Sequence, residues 1–200
     1  MRTHTFSIFS QSTKNEKMIP ILIIVGLLVI VGIVVWTIYN KLVNAKNIVN
    51  EGFSGIDVQL KKRFELIPNL IEAVKGYNAH EAEVLSRIVE SRSGGSNLNE
   101  VASQDASITQ SLKNFRIQVE AYPELKANTQ FLKLMDNLSE VENELAMARR
   151  YYNGATRDYN TKIEVFPAVL VAKLIGFNQV AFYELSDKKE SESPVVDLNN

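Results

Sequence analysis

The sequence predicts an all-α protein: a single N-terminal transmembrane helix followed by an antiparallel four-helix bundle with a long, kinked first helix. Three observations predict it. One uninterrupted apolar stretch, MIPILIIVGLLVIVGIVVWTI (Met18 to Ile38), carries no ionisable side chain. The chain after it shows apolar residues at alternating threes and fours, the spacing that lines one face of a helix. No strand-like alternation of useful length interrupts that pattern.

At ~1.5 Å rise per residue the apolar stretch spans roughly 30 Å, the thickness of a bilayer's hydrocarbon core. Isoleucine, leucine and valine occupy every face, so no stripe remains to seat it on a soluble core. Pro20 falls in the first turn, where a missing backbone donor is tolerated. Trp36 and Tyr39 stand at the far end, where amphipathic rings favour the headgroup layer. A cleaved signal peptide has a shorter apolar region and ends at a small-x-small site. Val34-Val35-Trp36-Thr37-Ile38-Tyr39 has no such site, so the stretch reads as an uncleaved anchor in the lipid bilayer.

The domain organisation follows from composition. Residues 1–17 are polar, rich in Ser and Thr, and expected to be disordered; Met18 could itself be the native start. Residues 18–38 are the transmembrane helix, 39–185 the helical bundle, and 186–200 an acidic tail expected to be mobile. Flanking charges allow two topologies. Arg2, Lys14 and Lys17 favour a cytoplasmic N-terminus, whereas without the leader Lys41, Lys46 and Lys61-Lys62-Arg63 draw the domain to the cytoplasmic side.

Within the bundle, Val49, Ile56, Leu70 and Tyr77 recur at sevens, interleaved with Phe53, Leu60, Ile67 and Val74. Arg63 interrupts the first series, with Phe64 expected to substitute in the packing. Gly52, Gly55 and Pro68 weaken this helix, which is expected to run to about Ser91 with a bend. Ser93-Gly94-Gly95-Ser96-Asn97 is a break. A second helix follows from about Asn99 to Tyr122, with Val101, Ile108, Leu112, Phe115, Val119 and Tyr122 on one stripe and Asp105 its one polar member. Pro123 ends it. Asn128 or Thr129 caps a third, running to about Phe166. It carries Leu134, Val141, Ala148 and Ala155 in one row and Leu138, Leu145, Tyr152, Tyr159 and Phe166 in the other. A last helix, from about Ala168 to Leu185, is expected to close the bundle as its fourth wall.

Two long stretches resemble the bacterial LemA family: IDVQLKKRFELIPNLIEAVKGYNAHE (Ile56 to Glu81) and VEAYPELKANTQFLKLMDNLSEVENELAMARRYYNGATRDYNTKIEVFP (Val119 to Pro167). The similarity continues through VLVAKLIGF (Val169 to Phe177) and begins near YNKLV (Tyr39 to Val43). Phe53 and Ser54 depart from it, standing where members often have tryptophan and a polar residue. The resemblance implies a bacterial single-pass membrane protein with a helical-bundle domain. It brings no biochemical activity with it.

The net charge of −1 and the lack of a basic stripe give no reason to expect nucleic acid. With no cysteine there is no disulfide, thiolate metal site or thiol nucleophile. Of two histidines, His4 lies in the leader. His80 lacks the second histidine of a zinc-protease helix, and a tyrosine at position 77 removes the Glu-x-x-His pattern of di-iron bundles. Gly94-Gly95 lacks the lysine of a phosphate loop, and no serine sits in a nucleophile elbow. The expectation is a non-enzymatic protein without cofactor or metal.

Two features invite a binding role. Tyr-Asn recurs at Tyr39-Asn40, Tyr77-Asn78, Tyr152-Asn153 and Tyr159-Asn160. These pairs read either as interhelical hydrogen bonds that set register or as a groove lined by Tyr77, Tyr152 and Tyr159. The cations Lys61, Lys62, Arg63, Arg149, Arg150 and Arg157 read either as a solvated face balanced by Glu65, Glu72, Glu140, Glu142 and Glu144 or as a partner-binding surface. Together these features favour a membrane-anchored scaffold that self-associates as a homo-oligomer or binds an envelope protein partner. The alternative is a ligand sensor or carrier with a pocket inside the bundle.

Overall fold

The computed structural model describes residues 4–75 and 97–184, with side chains from Met18 onward. The described residues are helical without a strand. Five helices occur among them: α1 (His4–Lys75), α2 (Leu98–Val119), α3 (Pro123–Lys126), α4 (Thr129–Glu164) and α5 (Ala168–Ile175). The described residues divide into two compact units. One comprises residues 4–45 with 160–179, the other 46–75 and 97–159 with 180–184.

In the first unit, α1 is exposed at every position from Met18 to Thr37. Its most apolar 18-residue window has a mean hydropathy of 3.3 and no buried residue, so it is long and apolar enough to cross a membrane. Thr37, the polar intruder near its end, returns its hydroxyl to the Ile33 carbonyl at 2.8 Å. Burial begins just beyond, at Leu42 and Ala45, and the same unit buries Ile163, Val171 and Ala172. The Tyr39 and Phe177 rings meet at 6.1 Å.

Upstream, α1 begins at His4. Most of the leader expected to be disordered therefore has helical backbone. Extending an existing helix adds a hydrogen bond per residue without a new nucleus, a gain that hydrophobic periodicity does not register. Downstream, the helix runs through Gly52, Gly55 and Pro68 without a break. The expected continuation to Ser91, the Gly94-Gly95 break, Tyr77 and His80 all lie outside the described residues, as does the acidic tail.

The second unit is built on the predicted seams. Ile67, Leu70 and Val74 of α1, Leu112, Phe115 and Val119 of α2, Leu125 of α3, and Phe131 and Leu138 of α4 form one buried cluster. Phe115 and Phe131 meet edge to face. Asn97, in extended conformation, caps α2 by accepting from the Glu100 amide at 3.0 Å. Asn128 caps α4, its Oδ1 accepting from the Gln130 and Phe131 amides at 2.9 and 3.1 Å. Pro123 does not merely end the second helix; it occupies the first turn of α3.

Helix directions follow from the pairings. Along α1, Val49 and Phe53 share a cavity with Asn97 and Leu98. Arg63 reaches Asp105 and Thr109, and Ile67 to Val74 join Leu112 to Val119. The partner numbers rise together, so α1 and α2 run the same way. Against α4 they fall: Gly52 meets Tyr152, Arg63 meets Glu142, and Val74 shares the cluster of Phe131. The described parts of the first two helices are thus parallel where antiparallel neighbours are expected. Antiparallel packing belongs to α4 against α1 and α2.

The fourth wall also differs. The last helix stops at Ile175, not Leu185, because Gly176 adopts φ +86°, a left-handed conformation open to glycine. The Gly176 and Phe177 amides both close onto the Ala172 carbonyl at 2.9 Å. Residues 177–184 continue without helix. Phe166, assigned to the aromatic row of the third helix, is 80% exposed. α4 ends at Glu164, and the turn that follows carries Phe166 off the seam.

Gly52 marks a close approach of α1 and α4. A Cβ there would lie 3.1 Å from the Tyr152 Cα and 3.3 Å from the Tyr151 ring, whereas one at Gly55 would meet nothing within 4 Å. Gly52→Leu is expected to destabilise the detergent-solubilised chain by about 1–3 kcal/mol through overpacking. Gly55→Ala is expected to stabilise it by about 0.5–1 kcal/mol, since glycine is the poorer helix former. Urea unfolding followed by circular dichroism reads both signs.

Candidate functional site

The seam that supplies the apolar core also carries charge into it. Arg63 occupies the position between Ile56 and Leu70 in the first heptad series, which directs it into the helix interface. Its side chain is 1% exposed, and it fills that seam itself while Phe64 packs beside the cluster, half-buried. Asp105 enters from the apolar stripe of α2 with a side chain that is 0% exposed. Glu142 and Arg149, one heptad apart, enter from α4.

The contacts link all four charged side chains. Arg63 Nη2 donates to Asp105 Oδ1 at 2.6 Å and to the Asp105 carbonyl at 3.4 Å. Arg63 Nη1 donates to Thr109 Oγ1 at 3.0 Å and to Glu142 Oε1 at 3.1 Å. Asp105 Oδ2 accepts from Arg149 Nη2 and from the Tyr183 hydroxyl at 2.7 Å. The Arg149 guanidinium also lies 5.7 Å from the Tyr183 ring centroid. Two cations and two anions balance, and both carboxylate oxygens of Asp105 are used. That is the condition for holding charge in a protein interior: isolated ions there are costly, and hydrogen-bonded pairs offset much of the penalty.

Tyr183 comes from the chain beyond α5, and the Tyr152-Asn153 pair holds it there. Asn153 Oδ1 accepts from the Tyr183 amide at 2.8 Å, and Asn153 Nδ2 donates to the Tyr183 carbonyl at 3.0 Å. The Tyr152 hydroxyl donates to the Ala181 carbonyl at 2.9 Å, and its ring meets those of Tyr183 and Phe53. The side-chain amide thus pairs with backbone as a neighbouring strand would. The register-setting reading of this Tyr-Asn pair is correct in kind, but its partner is an irregular segment, not a helix. Tyr159 is fully buried, and Tyr77 lies outside the described residues. Tyr152 borders a cavity of about 190 Å³ shared with Val49, Phe53, Leu98 and Val180.

The basic residues separate into two sets. Arg63 is internal, because a seam position turns a side chain inward whatever its charge, and Arg149, 14% exposed, is joined to it through Asp105. Lys61, Lys62, Arg150 and Arg157 are exposed. Arg150 lines a shallow open groove with Arg149, Asn153 and Tyr183, and Arg157 sits 3.6 Å from Asp158. The mismatch of Arg63 and Asp105 with their apolar series was a sequence signal for the pair. Tyr183 had none, since its stretch reads as helix.

Burial raises the phenol pKa of Tyr152, Tyr159 and Tyr183; for Tyr183 the Asp105 charge and hydrogen bond raise it further, opposed by Arg149. Among the described residues no three His, Asp or Glu side chains group in a way that could hold a metal.

The fold and this cluster define an all-helical protein with an apolar N-terminal helix and a domain cross-braced by buried ion pairs. The sequence model of the LemA family matches residues 52–198, beginning beyond the apolar stretch, and the chain belongs to that family. It is 30% identical to Protein LemA of Metamycoplasma hominis over 168 residues, 80% of this chain and 75% of that one. It is 22% identical to Magnetosome protein MamQ 2 of Paramagnetospirillum magneticum over 79% of this chain and 68% of the relative. Magnetosome protein MamQ of Magnetospirillum gryphiswaldense is 21% identical with the same coverage.

Removing one member of the cluster strands its partner. Arg63→Met is expected to destabilise by about 3–5 kcal/mol, and Arg63→Met with Asp105→Leu by less than the sum of the two single changes. A double-mutant cycle by urea unfolding measures the difference. Tyr183 favours its neutral form in the folded state. Its contribution is therefore complete below the ordinary phenol pKa of 10.0 and lost as pH rises through the higher folded value. Stability should fall above about pH 10, and Tyr183→Phe should make that fall shallower in unfolding titrations.

Proposed function

We propose that this is a non-enzymatic, single-pass membrane protein whose helical domain acts as a scaffold, assembling with itself or with an envelope protein partner. The observation that carries the reading is the continuity of α1. The same helix presents an unburied apolar stretch from Met18 and, further along, delivers Arg63 to the core of the second unit. A domain braced through that helix is tethered wherever the apolar stretch inserts. Confinement to a membrane raises effective concentration, so modest contacts suffice for assembly.

The exposed cations Lys61, Lys62, Arg150 and Arg157 are the proposed partner contacts, Arg63 and Arg149 being committed inside. The carrier alternative draws less support. The cavity beside Tyr152, about 190 Å³, is smaller than the ~300–1,000 Å³ of ordinary ligand pockets.

The reading predicts that the intact chain resists carbonate extraction from membranes, and that Ile24→Asp with Leu28→Asp releases it. Crosslinking in membranes should capture a homo-oligomer or a defined heterocomplex. Lys61→Glu, Lys62→Glu and Arg150→Glu together should weaken that adduct by about tenfold, roughly 1.4 kcal/mol, without changing the helical circular dichroism. A chain that extracts freely, or stays strictly monomeric with no adduct, overturns the proposal.

A further inference from the structure

The first unit contains a second apolar surface that the anchor reading does not use. α5 buries Val171 and Ala172, but Phe166, Leu170 and Leu174 are 80%, 62% and 84% exposed. Two of these values exceed the exposure of Leu22 and Trp36 in the apolar stretch, 66% and 68%. The three residues are spaced by four, so they follow one face of the helix and the turn leading into it. Val165 and Ile175, also exposed, flank them. A large, continuous apolar surface of this kind marks a contact with protein or membrane.

Its place in the unit identifies the occupant. The Phe177 ring, two residues after α5, lies 6.1 Å from the ring of Tyr39. Tyr39 and Trp36 close the apolar stretch of α1, the level at which aromatic residues favour the headgroup layer. α5 thus ends beside the point where α1 leaves hydrocarbon. The charges agree. Lys41, Lys162 and Lys173 are exposed in this neighbourhood, and residues 160–179 contain one acidic side chain, Glu164, which accepts from the Gln179 amide. Lysines flanking an apolar helix face suit anionic headgroups, with their alkyl stems along the acyl boundary.

We infer that α5 is an interfacial membrane helix, with Phe166, Leu170 and Leu174 dipping into the same bilayer that α1 crosses. The inference rests on the anchor reading above and adds a second, non-spanning contact. Through that contact the C-terminal end of α4 is held to the lipid surface as well as the N-terminal helix.

The chain has no cysteine, so single nitroxide labels can be placed without background. Leu174→Cys, Ile24→Cys and Ile117→Cys are made in the full-length protein and reconstituted in phosphatidylcholine–phosphatidylglycerol vesicles. Ile117, 65% exposed on α2, is the aqueous reference. Collision with oxygen, which enters hydrocarbon, is compared with collision with a water-soluble nickel chelate. The label at 174 is expected to favour oxygen severalfold more than the label at 117, approaching the label at 24. A label at 174 that favours the chelate as at 117, with the label at 24 still in lipid, overturns the interfacial helix and leaves the anchor standing. Shielding at 174 from both agents also overturns it, assigning the face to a second copy or another protein. A label at 24 that favours the chelate overturns the anchor reading, and this inference with it.

Discussion

The carboxylate of Asp105 is the constraint on which the second unit depends. A charge with no exposure must find its counter-charges and hydrogen-bond donors within the protein, and each comes from a different element. Arg63 arrives on α1, Arg149 on α4, and the Tyr183 hydroxyl from the chain after α5. Sliding any of the three helices by one turn, ~5.4 Å, would break contacts of 2.6 to 3.1 Å. Apolar packing tolerates such slippage far better, since leucine against isoleucine has little directional preference. The ion pairs therefore favour the register in which these contacts are made.

This bracing extends to a segment with no secondary structure of its own. The Asn153 amide replaces the missing strand partner of Tyr183, and Tyr152 holds Ala181. A polar cluster in the core and a polar clamp at its edge thus act on the same few residues. The buried phenols complete the set, kept neutral by burial so that Tyr183 remains a donor to Asp105. The arrangement consumes the chemistry of the residues involved: both carboxylate oxygens of Asp105 and both terminal nitrogens of Arg63 are already engaged.

The first unit follows different physics. From Met18 to Thr37 no side chain is covered by protein, and the residues there carry no charge. Such a helix satisfies its own backbone and is long and apolar enough to cross a membrane. The same unit holds α5, whose Leu170 and Leu174 are exposed and which ends two residues before Phe177, the ring that meets Tyr39. Membership in the LemA family spans the region after the apolar stretch, from residue 52 onward.

By itself the sequence determined the helical class, the apolar stretch and most of the seams. These depend on local periodicity: Val49, Ile56, Ile67, Leu70, Leu112, Phe115, Leu138 and Leu145 are buried where their spacing placed them. The Asn128 cap and the third helix were legible for the same reason. Tertiary structure alone decided what crossed between distant segments. The parallel course of α1 and α2, the inward commitment of Arg63 and Arg149, and the docking of Tyr183 all depend on partners 42 or more residues away. Helical spacing tells which way a side chain points from its own axis, but not which other axis stands opposite. A charge at a seam therefore reads as an interruption until its counter-charge is located. Likewise a glycine such as Gly176 reads as a weak point until its backbone is seen to turn the chain out of the helix.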